Sequence, residues 1–197
     1  MTKSTFFVEE DKILTTLFDE GMDNLHLFKP GSTPLYAERL LSLIPEDYYR
    51  KITVHDHFYL KNEYDLAGIH LDSADTEIPN NYKGKIGRTC TDIQMLKEMK
   101  KKSSCVFLKN IFDCIEFSEE KKTFTQQQLE DAADKGLIDR HVYALGGMSL
   151  DNIRMAKTLG FGGVVICGDL WSRFDIHNQT DFKELIAHFE KLRNAVR

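Results

Sequence analysis

Short apolar runs alternate with segments of helical periodicity along most of the chain. A short apolar run bounded by turn residues or charges predicts a buried strand, whereas apolar residues that recur at helical spacing predict an amphipathic helix. The pattern predicts eight strands, over residues 5–9, 24–28, 51–55, 68–71, 84–89, 104–112, 142–145 and 164–167.

Helical periodicity and end signals predict six longer helices. Thr33 takes the N-cap position ahead of Pro34 in one of them, and Thr125 caps another that stops at Gly136. A hydroxyl at the N-cap, proline at the first helical position and glycine after the last turn are the preferred end residues of helices. The predicted helices cover residues 11–21, 33–44, 92–102, 125–136, 151–160 and 181–196.

The alternation of strands and helices decides the predicted fold class. Neighbouring parallel strands need a long crossover, usually a helix, so a repeated strand–helix pattern predicts a parallel sheet. Eight such units close a barrel, and 197 residues are at the short end for that fold. We therefore predict a compact (β/α)8 TIM barrel, an α/β fold, with residues 1–197 in a single domain. A doubly wound open sheet is the alternative.

Composition narrows the function classes further. Hydrophobic residues make up 42% of the chain, which is ordinary for a globular domain, and the net charge of −5 argues against a dedicated nucleic-acid binder. No apolar run has the length of a membrane span, and the first residues lack the apolar region of a signal peptide. We expect a cytoplasmic protein without a membrane partner, whose scattered cysteines stay reduced: Cys90, Cys105, Cys114 and Cys167.

Glycines follow the last two predicted strands, only about twenty residues apart in the sequence. Gly146 and Gly147 end one strand just before Ser149 opens a helix, and Gly168 ends the next. In βα barrels a phosphate often lies in the loops after the last two strands, where glycine permits a close backbone approach and amides point at the anion. The spacing favours a phosphate-binding cup; the alternative is that these glycines only make tight turns.

Ordered motifs over roughly residues 5–172 resemble those of the thiamine phosphate synthase and TenI family of compact barrels. "VYALGGMSLDNI" followed by "GFGGVVICGDLW" is similar to the family's C-terminal signature. Earlier motifs that resemble the family are "LHLFKPG", "VHDH", "GIHLDSAD", "IGRTCTD" and "CVFLKNIFDC".

The resemblance implies a function in thiamine biosynthesis and a set of site residues. Synthases of this family join a hydroxymethylpyrimidine diphosphate to a thiazole phosphate and release pyrophosphate, with magnesium. By position, Asp56 and Asp75 would hold Mg²⁺, whose preferred ligands are carboxylate and phosphate oxygens. The other implied roles are catalysis at Lys29 and Thr89, phosphate binding at Gly146, Gly147 and Gly168, and substrate contacts at His26, His55, His57 and Asn110.

Departures from the family pattern leave the reaction open. Phe28 stands where an arginine is usual, and Glu116 and Phe117 stand in the loop that grips the pyrimidine diphosphate. Thr91 occupies the position of the histidine of TenI-type tautomerases, with Cys90 beside it. Three hypotheses follow: a synthase, a TenI-like paralogue that binds a thiazole phosphate with or without isomerase activity, and a non-catalytic phosphometabolite binder.

Histidines and oligomeric state complete the expectations. His55 and His57 alternate onto one face of a strand and are candidate metal ligands, but no third ligand stands at a recognisable spacing, so a zinc site is not predicted. His70 lies in an apolar strand and is interpreted as a hydrogen-bonded structural residue. Family members are commonly dimers, so a homodimer is expected, with Phe174 and the last helix as a candidate surface.

Overall fold

Seven parallel strands form a single sheet in the computed structural model, which describes residues 1–175, 177 and 181–196. Along the sheet the strands follow their order in the chain, and each pairs in parallel with the next. The strands are β1 Leu25–Leu27, β2 Ile52–Val54, β3 Gly68–Leu71, β4 Lys85–Cys90, β5 Cys105–Leu108, β6 Val142–Leu145 and β7 Gly163–Val165.

Helices occupy most of the connections, as the alternating pattern predicts. The capping box at Thr125 is formed, whereas Thr33 takes the N-cap position without a side-chain hydrogen bond. Two short 3₁₀ helices, Glu46–Lys51 and Ile93–Met95, precede β2 and α4. The α-helices are α1 Glu10–Asp19, α2 Pro34–Leu43, α3 Leu60–Glu63, α4 Leu96–Lys101, α5 Gln126–Asp134, α6 Ile153–Thr158, α7 Gly168–Trp171 and α8 Lys183–Val196.

The sheet curls into a barrel-like shape. The ring centroids of His26 on β1 and Phe107 on β5 lie 4.7 Å apart. Four strand spacings in a flat sheet would separate these strands by about 19 Å, so the contact requires strong curvature. The strand order also lacks the reversal that a doubly wound sheet requires, which excludes that alternative.

The predicted first strand, over residues 5–9, is wrong. These residues form bends and turns that lead into α1, and their aromatic rings pack outward from the sheet: Phe6 beside Tyr36, and Phe7 against Trp171. Between the edge strands lie instead the first two residues: the Met1 backbone nitrogen donates to the Ile166 carbonyl, and the Thr2 amide donates to that of His26, both at 2.9 Å. The described sheet therefore has seven strands, and full eight-strand closure is not confirmed.

The helices pack on the outer face of the sheet, and the buried hydrophobic residues between them form two clusters. One joins β1–β3 with α1, α2 and α8, and the other joins β4–β6 with α4–α6. Alternate strand residues face inward, and on β1 and β3 these include His26 and His70. The curled sheet therefore encloses polar side chains on its β1–β3 side. In an ordinary barrel, branched apolar residues fill this space.

The C-terminal helix belongs to the same body. Asp169 at the start of α7 accepts hydrogen bonds from the Leu150 amide at 3.3 Å and from His188 Nε2 on α8 at 2.7 Å. Phe174, a candidate dimer contact, packs beside Phe7 within the chain at 6.2 Å between ring centroids. All four cysteines are free thiols, as expected.

Among the helices of the described residues, none combines the length and the apolar character that a membrane span needs.

Candidate active site

A cavity of about 120 Å³ opens at the carboxyl ends of the strands, where βα barrels carry their active sites. Backbone and side chains from both halves of the sheet surround it. Its walls are formed by Met1, Phe28, Asp72, Thr89, Lys109, Cys114, Ile115, Glu116, Phe117, Glu120, Leu145, Gly146, Gly147, Met148, Val165, Cys167 and Gly168.

The three predicted cup glycines meet at this cavity. β6 and β7 are parallel neighbours, so Gly146, Gly147 and Gly168 line one wall together, which confirms their predicted juxtaposition. Gly146 and Gly147 have φ of 100° and 59°, a conformation that L side chains rarely adopt. Asn152, which the sequence analysis missed, holds this turn: its Nδ2 donates to the Gly147 carbonyl and its Oδ1 accepts from the Ser149 amide, both at 2.9 Å.

The loop between β5 and α5 packs directly on these glycines. A Cβ on Gly147 would overlap the Asp113 carbonyl oxygen, and a Cβ on Gly168 would lie 2.7 Å from the Cβ of Ile115. The loop is tied to the turn after β6, because the Phe112 amide donates to the Gly146 carbonyl at 3.1 Å. Glycine is therefore required here both by backbone conformation and by the close approach of the loop.

Glu116 brings a fixed negative charge to the cavity. Its carboxylate accepts hydrogen bonds from the Ser4 hydroxyl at 2.7 Å and from Cys167 Sγ at 3.0 Å. Burial alone would raise the pKa of Glu116, but these hydrogen bonds from Cys167 and Ser4 hold it below its ordinary value. Burial, together with the Glu116 charge, raises the pKa of the Cys167 thiol to about 12, so the carboxylate carries the charge of this pair.

A lysine that the motif comparison missed supplies positive charge. Lys109, at the end of β5, lines the cavity, and its Nζ lies 2.6 Å from Glu120 Oε1. Both side chains are about one-third exposed, at 31% and 30%. Lys121 and Lys122, later in the same loop, do not line the cavity; Lys121 is 65% exposed and lies 3.9 Å from Asp113.

Three histidines form a cluster under the opposite wall. His26 Nδ1 lies 2.9 Å from His55 Nε2, and His70 stacks on His55 with ring centroids 4.4 Å apart. His55 Nδ1 lies 2.8 Å from the carboxylate of Asp72, and His70 Nε2 lies 2.9 Å from the Thr89 hydroxyl. The histidine cluster, as we call His26, His55 and His70, thus connects to the cavity through Asp72 and Thr89.

Burial keeps two of these imidazoles neutral. Desolvation, reinforced by the neighbouring His55, lowers the pKa of His26 well below its ordinary value and that of His70 to about 2. The structure confirms that His70 is a hydrogen-bonded buried histidine, as the sequence analysis expected.

The two predicted metal ligands differ in their surroundings. Asp56 is half-buried, and desolvation together with the negative charge of Asp72 raises the pKa of its carboxyl. Asp75 is exposed in the loop after β3, where its amide donates to Ser73 Oγ at 3.2 Å. Asp72 was missed because it stands where the family motif has glycine, yet of these carboxylates it is the one that lines the cavity.

Several other predicted site residues do not line this cavity. The Lys29 ammonium is buried, 2.6 Å from Glu10 Oε1 and 2.8 Å from the Thr5 carbonyl, so it is held away from the cavity. His57 Nε2 donates to the Ser32 carbonyl at 2.9 Å in the loop before α2. Asn110 has φ of 64° and packs its backbone against Gly146, with its Oδ1 buried and unpartnered. Thr89 does line the cavity, whereas His26 and His55 lie beneath it.

Solved structures decide the family. A crystal structure of thiamine phosphate pyrophosphorylase from Bacteroides thetaiotaomicron is 44% identical in sequence, with a TM-score of 0.90, and the match covers 98% of this chain and 94% of that one. The chain belongs to the thiamine phosphate pyrophosphorylase family, also called thiamine phosphate synthases. No protein-family model and no curated protein matches the chain.

More distant structures share the fold of this family. Thiamine phosphate pyrophosphorylase from Pyrococcus furiosus is 16% identical with a TM-score of 0.74, over 99% of this chain and 92% of that one. A 3-hexulose-6-phosphate synthase is 14% identical with a TM-score of 0.64, over 100% of this chain and 98% of that one. This thiamine phosphate synthase-like protein has the three cup glycines in its cavity. The same cavity contains Phe28 and Glu116, two of the residues that depart from the family pattern.

Proposed function

We propose that this protein catalyses the thiamine phosphate synthase reaction, in which hydroxymethylpyrimidine diphosphate and thiazole phosphate give thiamine phosphate and pyrophosphate. The observation that carries the proposal is the glycine-lined cavity at the carboxyl ends of β6 and β7, in a chain that belongs to this family. In the reaction the bond from the pyrimidine methylene carbon to diphosphate oxygen breaks, the electron pair leaves with pyrophosphate, and the thiazole nitrogen forms the new bond to that carbon.

The cup would hold the thiazole phosphate through backbone groups. Without side chains, Gly146, Gly147 and Gly168 would let an anion approach the backbone once the loop moves, and Lys109, paired with Glu120, lines the same cavity. The phosphate must displace contacts that the β5–α5 loop makes with these glycines, such as that of Ile115 with Gly168. By binding both substrates in one pocket, the protein would contribute mainly orientation and charge stabilisation.

The carboxylates beside the cavity fit a magnesium ion. Asp56 and Asp72 are close enough for the charge of Asp72 to raise the pKa of Asp56, a repulsion that a divalent cation would relieve. We propose Asp56 and Asp75 as Mg²⁺ ligands, with Asp72 as a third carboxylate donor. Bound Mg²⁺ would neutralise the charge of the diphosphate oxygens.

The direct test is product formation by the purified full chain with both substrates and Mg²⁺, followed by mass spectrometry of thiamine phosphate. Calorimetric titration of each substrate separately then compares the affinity of the protein for thiazole phosphate with its affinity for the pyrimidine diphosphate. We expect thiazole phosphate to bind more tightly than the pyrimidine diphosphate, because Phe28 and Glu116 replace ligands of the diphosphate. Product formation supports the proposal, whereas binding of thiazole phosphate without product, in the presence of both substrates, refutes a synthase and favours a phosphometabolite binder.

The metal part of the proposal is tested with pyrophosphate and Mg²⁺. Asp56→Ala and Asp75→Ala are each expected to weaken magnesium-dependent pyrophosphate binding by at least about tenfold, or ~1.4 kcal/mol. Asp151→Ala, at an exposed aspartate outside the cavity, is the matched control and should bind as the wild type does. Unchanged affinity in both test variants would remove Asp56 and Asp75 from the metal site.

A further inference from the structure

The histidine cluster brings three imidazoles together, from β1, from the residue after β2 and from β3. One ring nitrogen from each of His26, His55 and His70 lies within 4.8 Å of the others. His55 and His70 are 4% and 0% exposed. Neutral imidazoles are the commonest protein ligands of zinc-class transition metals, and burial keeps His26 and His70 neutral.

Donor accounting leaves one of these nitrogens without a partner and a second engaged only with another member of the cluster. The Thr89 hydroxyl donates its one hydrogen to Asp72 at 3.3 Å, so it accepts from His70 Nε2–H at 2.9 Å. His70 Nδ1 then carries a lone pair, and it is buried with no hydrogen-bond partner. His55 donates from Nδ1 to Asp72, so its Nε2 accepts a hydrogen bond from His26 Nδ1–H at 2.9 Å, a hydrogen bond that a bound metal ion would replace.

The outer contacts of the cluster are those of a metal centre. A metal-bound histidine typically donates its other ring N–H to a carboxylate or another oxygen, which fixes the tautomer and the orientation of the ring. His55 and His70 both do so, to Asp72 and Thr89. A histidine cluster with a purely structural role would not need an unpartnered buried nitrogen, whose burial carries a desolvation cost.

We infer that His26, His55 and His70 form a binding site for one divalent transition-metal ion of the zinc class, enclosed by the curled sheet below the cavity. An all-imidazole ligand set favours Zn²⁺, Co²⁺, Ni²⁺ or Cu²⁺ over Mg²⁺, which prefers oxygen ligands. Three protein ligands leave a fourth coordination position open. The site is chemically distinct from the proposed magnesium carboxylates and does not depend on the synthase reaction.

The test uses the full chain, stripped of metal with a chelator and kept reduced, titrated with Zn²⁺ alone against a chromophoric chelator. Titration with Co²⁺ alone adds a spectroscopic readout, since four-coordinate cobalt absorbs strongly in the visible. The wild type is expected to bind one Zn²⁺ per chain. His26→Gln and His55→Asn remove a ligand with a side chain of similar polarity, and circular dichroism checks that each variant folds.

Graded losses are expected across the variants. Asp72→Asn removes the outer partner of His55 and should weaken Zn²⁺ binding about 10–100-fold. His26→Gln should weaken it further and abolish the visible cobalt band. His141→Gln, at an exposed histidine outside the cluster, is the control and should retain the wild-type affinity.

Two results would overturn the inference. A wild type that binds no stoichiometric Zn²⁺ shows that the cluster is only a hydrogen-bonded network, whatever the variants do. Equal Zn²⁺ affinity in the wild type and Asp72→Asn, a substitution at a partly exposed residue, would place any bound ion elsewhere even if both ligand variants failed to fold.

Discussion

The carboxyl ends of β6 and β7 and those of β1–β3 border the same opening, but they present different kinds of groups to it. On the β6–β7 side the wall is mostly backbone, formed by Gly146, Gly147 and Gly168 under the β5–α5 loop. On the β1–β3 side the groups are the side chains of the histidine cluster and Asp72, which reach Thr89 on the adjacent β4. Backbone groups can bind any anion of the right size. Converging imidazoles and carboxylates instead bind particular cations, and their binding depends on whether they are protonated.

This difference predicts different responses to substitution. A backbone site fails when a side chain enters it, so its sensitivity is steric and independent of pH. A side-chain site fails when a charge or a lone pair is lost, so its sensitivity follows protonation. Three experiments test this contrast in order of expected effect.

The largest effect is expected from Gly147→Ala. Gly147 and Gly136 have similar φ, 59° and 66°, but nothing lies within 4 Å of a Cβ on Gly136, whereas one on Gly147 overlaps the Asp113 carbonyl oxygen. Gly136→Ala should cost about 1–2 kcal/mol of unfolding free energy from backbone strain alone. Gly147→Ala should cost about 1–3 kcal/mol more and abolish thiazole phosphate binding.

Urea denaturation and phosphate titration of the two glycine variants measure this contrast. Because no titratable group is involved, the extra cost of Gly147→Ala should not change with pH. Equal destabilisation by the two substitutions would show that the loop can move away from Gly147, and that close packing does not define the cup.

The next effect is a pH dependence on the β1 side. Burial, partly offset by Lys29, raises the pKa of Glu10 from 4.5 to about 7. The folded state therefore holds this proton more strongly than the unfolded state; the resulting stability is fully present below about pH 4.5 and is lost as pH rises through about 7. The wild-type unfolding free energy should include a fall of about 3 kcal/mol across this window.

Glu10→Gln should remove that fall, whereas Glu9→Gln, at the partly exposed neighbouring residue, should keep it. Chemical denaturation at a series of pH values measures the slope, which is a safer readout than absolute stability because Glu10→Gln also leaves Lys29 buried without its partner. Parallel slopes in the wild type and Glu10→Gln would contradict the prediction.

The smallest effect is expected from Glu116→Gln, which removes a negative charge from the cup side. Hydrogen bonds from Cys167 and Ser4 keep the pKa of Glu116 low, so it repels a second anion throughout the neutral range. Pyrophosphate affinity should rise by about fivefold, or ~1 kcal/mol, in calorimetric titration. Glu119→Gln, at an exposed glutamate of the same loop that does not line the cavity, should leave the affinity unchanged. An unchanged affinity in Glu116→Gln would show that this charge does not limit diphosphate binding.

Local patterns predicted much of this molecule. The strand over residues 68–71 and the capped helix that starts after Thr125 were predicted closely, because periodicity and end residues act within a few positions of each other. The predicted first strand failed because Phe6 and Phe7 look like strand residues by composition, yet bury their rings against Tyr36 and Trp171. Propensity records that a residue is apolar but not which surface will bury it.

The sequence by itself determined the parallel βα architecture, the family and the juxtaposition of Gly146, Gly147 and Gly168, since all three depend on short-range order repeated along the chain. Only the tertiary structure decided that Lys29 pairs with Glu10, that Lys109 and Asp72 line the cavity, and that three histidines converge. His26 and His70 are 44 residues apart in the chain and meet because the sheet curls. Spacing along one strand offered His57 as a partner for His55, but strand pairing and curvature supplied His26 and His70 instead.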